Sequence, residues 1–326
     1  MNYAINFDDI VAARKRISAH IQPLRVTRSD SLSRQFDSEV MLAHEYLQTT
    51  GAFKLRGAMN SVLQLPSDAS GVTAVSTGNH GRALAYSARQ AGVPCIICMS
   101  ELVPRNKLEG IRALGAEARI IGKSQDEAEV EAKRLVNEEG YTMIPPFDHP
   151  HVIAGQGTLG LEMLQQVPDL DTVLVQLSGG GLISGIALAL KEQHPGIRII
   201  GISMERGAAM AASQAAGKPV EVEELATLAD SLGGGIGLDN HCTFAMVRDL
   251  VDEIILLDED EIADGIRHAY FDEQVIIEGG GAVGIGALLA GKAKPGAKTV
   301  VLLSGKNIDM QLHRKIINQK MINQES

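Results

Sequence analysis

The sequence predicts an α/β fold of two domains, each a mainly parallel, twisted sheet flanked by helices. Apolar segments of strand length alternate with segments of helical periodicity over most of the 326 residues, which is typical of parallel sheets with helical crossovers. Clusters of glycine stand directly after several of the apolar segments. A proline-rich linker over residues 145–150 separates two such series and indicates the domain boundary.

The composition is that of a globular protein and argues against nucleic-acid binding. The net charge is −10, aromatic residues make up 3% and Trp is absent, whereas nucleic-acid sites use basic faces and stacking aromatics. The first residues lack the pattern of a signal peptide, and no apolar run reaches membrane-spanning length. Three cysteines fit a reducing compartment. We therefore expect a cytoplasmic protein in which Cys95 and Cys98 are buried strand residues.

The chain opens with a helix predicted over 8–20, a short strand over 40–42 and a helix over 54–65. Residues 69–147 then form a small α/β domain with a predicted parallel sheet. Its strands are expected over 72–76, 93–99, 117–121 and 141–144, and its helices follow Gly78, Pro104 and a Ser124–Glu127 capping box.

The large domain is predicted to be discontinuous, formed by residues 1–68 and 148–326. Its strands are expected over 172–177, 198–204, 253–257 and 299–303. Its helices are expected over 155–167, 183–193, 207–216, 258–271 and 279–290, with a surface helix after Met310.

One lysine has the surroundings of a reactive amine. Lys54 is flanked by Ala52, Phe53 and Leu55, and desolvation by such neighbours lowers the pKa of an ammonium group. An amine with a lowered pKa can attack a carbonyl and form a Schiff base. The alternative is a surface lysine at a helix start whose stem lies over apolar neighbours.

Three loops at predicted strand ends could bind a ligand. Ser178-Gly179-Gly180-Gly181-Leu182 joins a strand to a helix, so its backbone N–H groups and the helix dipole could hold a phosphate. One alternative is a tight turn with no ligand. Another is a dinucleotide site, because a dinucleotide fingerprint is loosely matched by Gly179, Gly181, Gly185 and Glu205. The Ser76–Gly81 loop could receive a carboxylate or merely cap its helix. Ser304 and Asn307 follow the last strand, at an edge where open sheets bind ligands.

Four segments together resemble the serine/threonine dehydratase family of pyridoxal-phosphate (PLP) enzymes, which have the tryptophan-synthase-β-like fold, PLP fold type II. The segments are Thr50-Gly51-Ala52-Phe53-Lys54-Leu55-Arg56-Gly57-Ala58, Ser76-Thr77-Gly78-Asn79-His80-Gly81, Ser178-Gly179-Gly180-Gly181-Leu182 and Ser304-Gly305-Lys306-Asn307. Stretches over 76–82, 204–210 and 230–240 are similar to the hydroxyectoine utilization dehydratase subgroup.

The resemblance implies a role for each site residue. Lys54 would carry the cofactor as a Schiff base and, when freed, remove the Cα proton, with Thr77 as a second catalytic residue. The cofactor would contact Phe53, Lys54, Asn79, Gly179, Gly180, Gly181, Leu182 and Ser304. The substrate carboxylate would contact Ser76, Thr77, Asn79 and His80.

The implied reaction is dehydration and deamination of a β-hydroxy amino acid to a keto acid and ammonia, with a homodimer as the expected assembly. Racemisation and β-replacement are alternatives within the family, and Thr77 in place of the acid/base serine of serine racemases argues against racemisation. Glu205 and Ala209 match the racemase metal site, but Ala211 replaces its aspartate, so no metal is expected. A dinucleotide-binding module is the alternative outside PLP chemistry.

Overall fold

The structure, a computed structural model, describes residues 3–76, 78–103 and 105–324, without the side chains at 106, 125, 126 and 320–324. Its strands form two sheets. They are β1 (Val26–Arg28), β2 (Glu39–His44), β3 (Gly71–Val75), β4 (Cys95–Met99), β5 (Glu117–Ile120), β6 (Tyr141–Met143), β7 (Thr172–Gln176), β8 (Arg198–Met204), β9 (Glu253–Leu257) and β10 (Lys298–Leu303).

Helices cover both sheets. They are α1 (Phe7–Ile17), α2 (Asp30–Phe36), α3 (Lys54–Val62), α4 (Asn79–Ala91), α5 (Arg105–Ala113), α6 (Gln125–Glu139), α7 (Pro150–Gln166), α8 (Gly181–Gln193), α9 (Ala209–Ala216), α10 (Thr243–Leu250), α11 (Glu259–Phe271), α12 (Gly279–Leu289) and α13 (Met310–Gln324). Single 3₁₀ turns lie over Glu45–Leu47 and Asp230–Leu232. Among the described residues, no helix combines the length and the apolar character needed to cross a bilayer.

The larger sheet has six strands in the order β1-β2-β10-β7-β8-β9. All its pairs are parallel except β1 with β2, which is antiparallel. Strand β7 is buried on both faces of the sheet. Its residues Val173 and Val175 belong to one apolar cluster, and Leu174 belongs to the other. Strands buried on both faces have continuous apolar sequences, which made β7 and β10 easy to predict.

The smaller sheet has four parallel strands in the order β5-β4-β3-β6. Its elements are the ones predicted for residues 69–147, and Cys95 and Cys98 are buried in β4 as expected. The predicted α/β fold with mainly parallel sheets is therefore confirmed.

Some elements differ from the prediction. Strand β1 and helices α2 and α10 were not predicted from the sequence, and α7 begins at Pro150 rather than 155. Helix α2 buries only Leu32 and Ser33, so it lacks an apolar stripe. The capping box at Ser124 is half formed, because the Glu127 carboxylate accepts from the Lys123 N–H instead.

Candidate active site

Lys54 begins α3, beside the loop that follows β10. Ala52 and Gly305 form an isolated antiparallel bridge, and the Phe53 N–H donates to the Ser304 carbonyl over 2.9 Å. Ser304 is buried at the end of β10. Two predicted site segments from opposite ends of the chain therefore lie against each other.

The Lys54 amine is desolvated and has few partners. Its Nζ donates to the Pro146 carbonyl over 2.7 Å and lies 5.2 Å from the centroid of the Phe53 ring. Burial lowers the pKa of the amine to about 8, and the Glu278 carboxylate opposes that shift. An amine with this pKa is partly unprotonated near neutral pH, so it can attack a carbonyl carbon or accept a proton.

The glycine loop forms an open cradle at the start of α8. Gly180 is the N-cap residue with a φ of +88°, and no side chain caps this end of the helix. A Cβ at Gly179 would lie 2.3 Å from the Phe147 ring, and one at Gly181 would lie 2.7 Å from the Phe147 carbonyl oxygen. Only glycine allows this approach, and no backbone carbonyl of the described residues accepts from the N–H groups of 179–182, which lie at the positive end of the helix dipole. The cradle, with Leu182 behind it, fits a phosphate.

The linker between the two series joins the cradle to the lysine. Pro146 accepts from Lys54, and the next residue, Phe147, packs on the glycine loop. Asp148 then anchors the linker, because its carboxylate accepts from the N–H groups of residues 241–243 over 2.7 to 2.9 Å. These three contacts also stabilise the start of α10, which explains why its own sequence did not predict it.

Asn79, at the start of α4, is held by a chain of hydrogen bonds. Asn307 Nδ2 donates to the Thr50 carbonyl over 3.0 Å and to Asn79 Oδ1 over 2.6 Å. Asn79 Nδ2 in turn donates to Glu278 Oε1 over 2.7 Å. Because the Thr50 carbonyl can only accept, it fixes the Asn307 amide, which fixes the oxygen of Asn79 and leaves its nitrogen toward Glu278.

Glu278 is a candidate site residue that the sequence analysis missed. It is 4% exposed, and it stands at the N-cap of α12 without capping that helix. Burial raises the pKa of its carboxyl group to about 7 and Asp230 adds to this, while hydrogen bonds from Asn79, Ser231 and Asn307 lower it. The signal in the sequence is an acidic residue directly before three glycines that open an apolar helix.

The predicted carboxylate loop lies between β3 and α4. Ser76 Oγ accepts from the Gly81 N–H over 3.2 Å, so the hydroxyl hydrogen is left to donate. The His80 imidazole is buried and its Nε2 donates to the Ile144 carbonyl over 2.7 Å. Burial lowers the pKa of His80 to about 3, which keeps the ring neutral. Thr77, the predicted second catalytic residue, lies outside the described residues.

Gly185, from the dinucleotide fingerprint, and Glu205, from that fingerprint and the racemase metal site, have structural contacts of their own. A Cβ at Gly185 would lie 2.3 Å from the Ile153 carbonyl oxygen, so close packing of α8 on α7 explains that glycine. Glu205 lies 3.6 Å from the Lys292 amine. Over the described part of the chain, no group of three or more His, Cys, Asp and Glu side chains could hold a metal ion.

Known proteins are similar to this chain over most of its length. The model of a family described as pyridoxal-phosphate dependent enzymes matches residues 17–305. A Sinorhizobium fredii protein that carries the provisional name threonine dehydratase is 57% identical over 317 residues, 96% of each chain. The L-threonine ammonia-lyase of Thermotoga maritima is 37% identical over 98% of this chain and 79% of its own length.

A solved structure is similar over the whole molecule. Maize serine racemase superposes with a TM-score of 0.91 at 34% identity, covering 99% of this chain and 100% of the racemase chain. This likeness, together with the family match and the relatives, shows the tryptophan-synthase-β-like fold and a PLP cofactor. The chain belongs to the serine/threonine dehydratase family of pyridoxal-phosphate enzymes and is a PLP-dependent ammonia-lyase.

Proposed function

We propose that this protein dehydrates and deaminates a β-hydroxy amino acid, releasing a keto acid and ammonia. The observation that carries the proposal is the Lys54 amine, which has a lowered pKa and donates to the linker at Pro146, while the backbone of the preceding Phe53 binds the Ser304 carbonyl. A substrate derived from hydroxyectoine is the narrower proposal, and it rests on the resemblance of the stretches over 76–82, 204–210 and 230–240.

The cofactor would be held at five points. Lys54 would attach it through the amine, the glycine cradle with Leu182 would hold its phosphate, and Phe53 would lie against its ring. Asn79 would donate to the ring hydroxyl, since one of its N–H groups is not used by any described residue. Ser304 would face the ring nitrogen.

When bound, PLP supplies an electron sink for the bond broken at the substrate Cα. The Lys54 amine, once displaced by the substrate amine, would take the Cα proton, and a pKa of about 8 suits a base that works near neutral pH. The Ser304 hydroxyl cannot stabilise a charged ring nitrogen as a carboxylate would. This favours loss of a β-hydroxyl over longer-lived carbanion chemistry. Ser76 and the start of α4 would bind the substrate carboxylate.

The direct test is covalent attachment to Lys54. Borohydride reduction of the purified holoenzyme should leave a phosphopyridoxyl group on the Lys54 peptide, as measured by mass spectrometry. Lys54→Ala should lack that adduct, and its rate of ammonia release should fall by at least about 10³-fold. Full ammonia release by Lys54→Ala would overturn the proposal.

The substrate is found with a panel of compounds. Serine, threonine, other β-hydroxy amino acids and ectoine-pathway compounds would be scored for keto acid and ammonia together. The hydroxyectoine proposal is wrong if serine or threonine is turned over with higher kcat/KM than every ectoine-pathway compound.

Racemisation is the second candidate, and the similarity to maize serine racemase favours it. Chiral analysis of L-serine incubated with the enzyme would show D-serine if Thr77 can act as the second acid/base. The dinucleotide-binding alternative is wrong, because the family match and the relatives show a PLP enzyme.

Two structural proposals accompany the function. We propose that residues 69–147 form a small domain beside a large domain of residues 1–68 and 148–326, and that the enzyme works as a homodimer in the cytoplasm. Mass measurement in solution checks the dimer, and a monomeric, fully active enzyme would contradict it.

A further inference from the structure

We propose that Glu278 is a positioning residue that holds the Asn79 amide in place, and that it must be ionised to do so. The proposal rests on the proposed function in one respect, because Asn79 is expected to contact the cofactor. It goes further in assigning a role to a buried acid that the reaction itself does not use.

The number of donors around Glu278 carries the argument. Oε1 accepts from Asn79 Nδ2 over 2.7 Å, and Oε2 accepts from the Asn307 backbone N–H over 3.0 Å. Both partners are donors at these contacts, so both carboxyl oxygens must accept. A glutamine amide has a nitrogen that cannot accept, so it loses one of the two bonds, and a protonated carboxyl group offers only the weaker acceptor of its hydroxyl oxygen on one side.

The surroundings of Glu278 are built to admit a carboxylate. A Cβ at Gly305 would lie 2.5 Å from Glu278 Oε1, and one at Gly280 would lie 2.2 Å from Ser231 Oγ. The charged groups that face Glu278 are Lys54 on α3 and Asp230 in the 3₁₀ turn, and Ser231 adds a hydroxyl. The carboxylate is thus held mainly by neutral donors.

The hydrogen bonds of Glu278 cross between the two sheets. Asn79 follows β3 of the four-stranded sheet, whereas Asn307 follows β10 of the six-stranded sheet. Glu278 binds both, so it fixes the start of α4 at the candidate cofactor site. Burial and Asp230 raise the pKa of this carboxyl group to about 7, so the hold on Asn79 should weaken as the pH falls through neutrality.

The first test measures PLP binding by titrating the apoenzyme. We expect Glu278→Gln to raise the Kd of PLP about tenfold, the size of one charge-assisted hydrogen bond. The matched control is Glu273→Gln, which removes a half-buried carboxylate that accepts from the Ser29 and Ser31 hydroxyls, away from the site. It should bind PLP like the parent.

A double variant separates positioning from a general structural effect. If Glu278 acts through Asn79, Glu278→Gln should add nothing to the loss already caused by Asn79→Ala. The proposal would be overturned if the Kd of PLP in the double variant rose by the product of the two single increases, or if the Glu278→Gln protein bound PLP normally.

The second test needs no variant and no cofactor. Hydrogen exchange of the peptide that covers the first turn of α4 would be followed in the parent apoenzyme from about pH 8 to about pH 6. After correction for the intrinsic rate, exchange should be faster at the lower pH, and equal corrected rates would contradict the proposal. A chain with this pH dependence but no affinity for PLP would support the positioning role and overturn the proposed function.

Discussion

Two cations on the same helix have opposite surroundings. Arg56 is fully buried and pairs with Glu45 over 2.7 Å and with Glu162 over 2.6 Å, and Thr158 accepts from it over 3.0 Å. These carboxylates hold the pKa of Arg56 above its usual range. Lys54, two residues earlier, meets one carbonyl and has a lowered pKa.

The difference separates architecture from chemistry. The Arg56 cluster joins α3 to α7 and to the 3₁₀ turn over Glu45–Leu47, and the Leu24 N–H also donates to Glu162. A buried charge with complete partners stays charged and locates its helix. A partly buried, desolvated charge with few partners can change its protonation state, which is what a catalytic base requires.

Removing Arg56 should have the largest effect on stability. Arg56→Met leaves two buried carboxylates without a cation, so we expect the free energy of unfolding to fall by about 3–5 kcal/mol. Urea denaturation of the apoprotein measures this. An exposed arginine, changed in Arg105→Met, serves as the control, and equal stability of the two variants would contradict the comparison.

Adding a methyl group inside the glycine cradle should have the next largest effect, on the affinity for PLP. Gly179→Ala places a methyl group against the Phe147 ring, so we expect PLP to bind about tenfold or more weakly, measured by titration of the apoenzyme. Gly196→Ala is the matched control, because a Cβ there meets nothing within 4 Å. Unchanged affinity in Gly179→Ala would show that the cradle does not hold the phosphate.

Removing the Lys54 charge should have a small effect on stability, opposite to that of Arg56. Lys54→Met deletes a desolvated and poorly paired ammonium, so the free energy of unfolding of the apoprotein should be unchanged or rise by up to about 1 kcal/mol. Urea denaturation at neutral pH checks this. A loss as large as that of Arg56→Met would mean that both cations are structural.

The smallest expected effect is a pH dependence caused by Lys54. Its folded pKa of about 8 lies below the unfolded value, so between the two values the unfolded chain binds more protons and stability rises with pH. Below that window both states are protonated and the penalty is constant. The rise should be absent from Lys54→Met, and an identical slope in both proteins would contradict the shift.

Elements with strong local patterns were predictable. Strands β7 and β10 each contain an unbroken apolar run, over 173–175 and 300–303, and α11 carries a complete capping box at Asp258 and Glu261. Strand β1 and helix α10 were missed because each depends on a distant partner. Strand β1 exists by pairing with β2, and α10 begins where Asp148 accepts its N–H groups.

The candidate site divides in the same way. Lys54, Ser304 and the glycine cradle stand in short patterns whose chemistry can be read locally. Phe147 and Glu278 were not identified, because their importance comes from what they touch. Phe147 explains two of the three cradle glycines, and Glu278 gains its role only where Asn79 and Asn307 meet it.

The amino-acid sequence alone was enough to predict the fold class, the family and the amine that would carry the cofactor, since periodicity and short motifs are local properties of a chain. Folding alone decided which buried charges are paired, which carboxyl group titrates near neutrality and which linker covers the glycine loop. Those properties depend on desolvation and on hydrogen-bond partners, and both are set by segments that meet only when the two sheets are assembled.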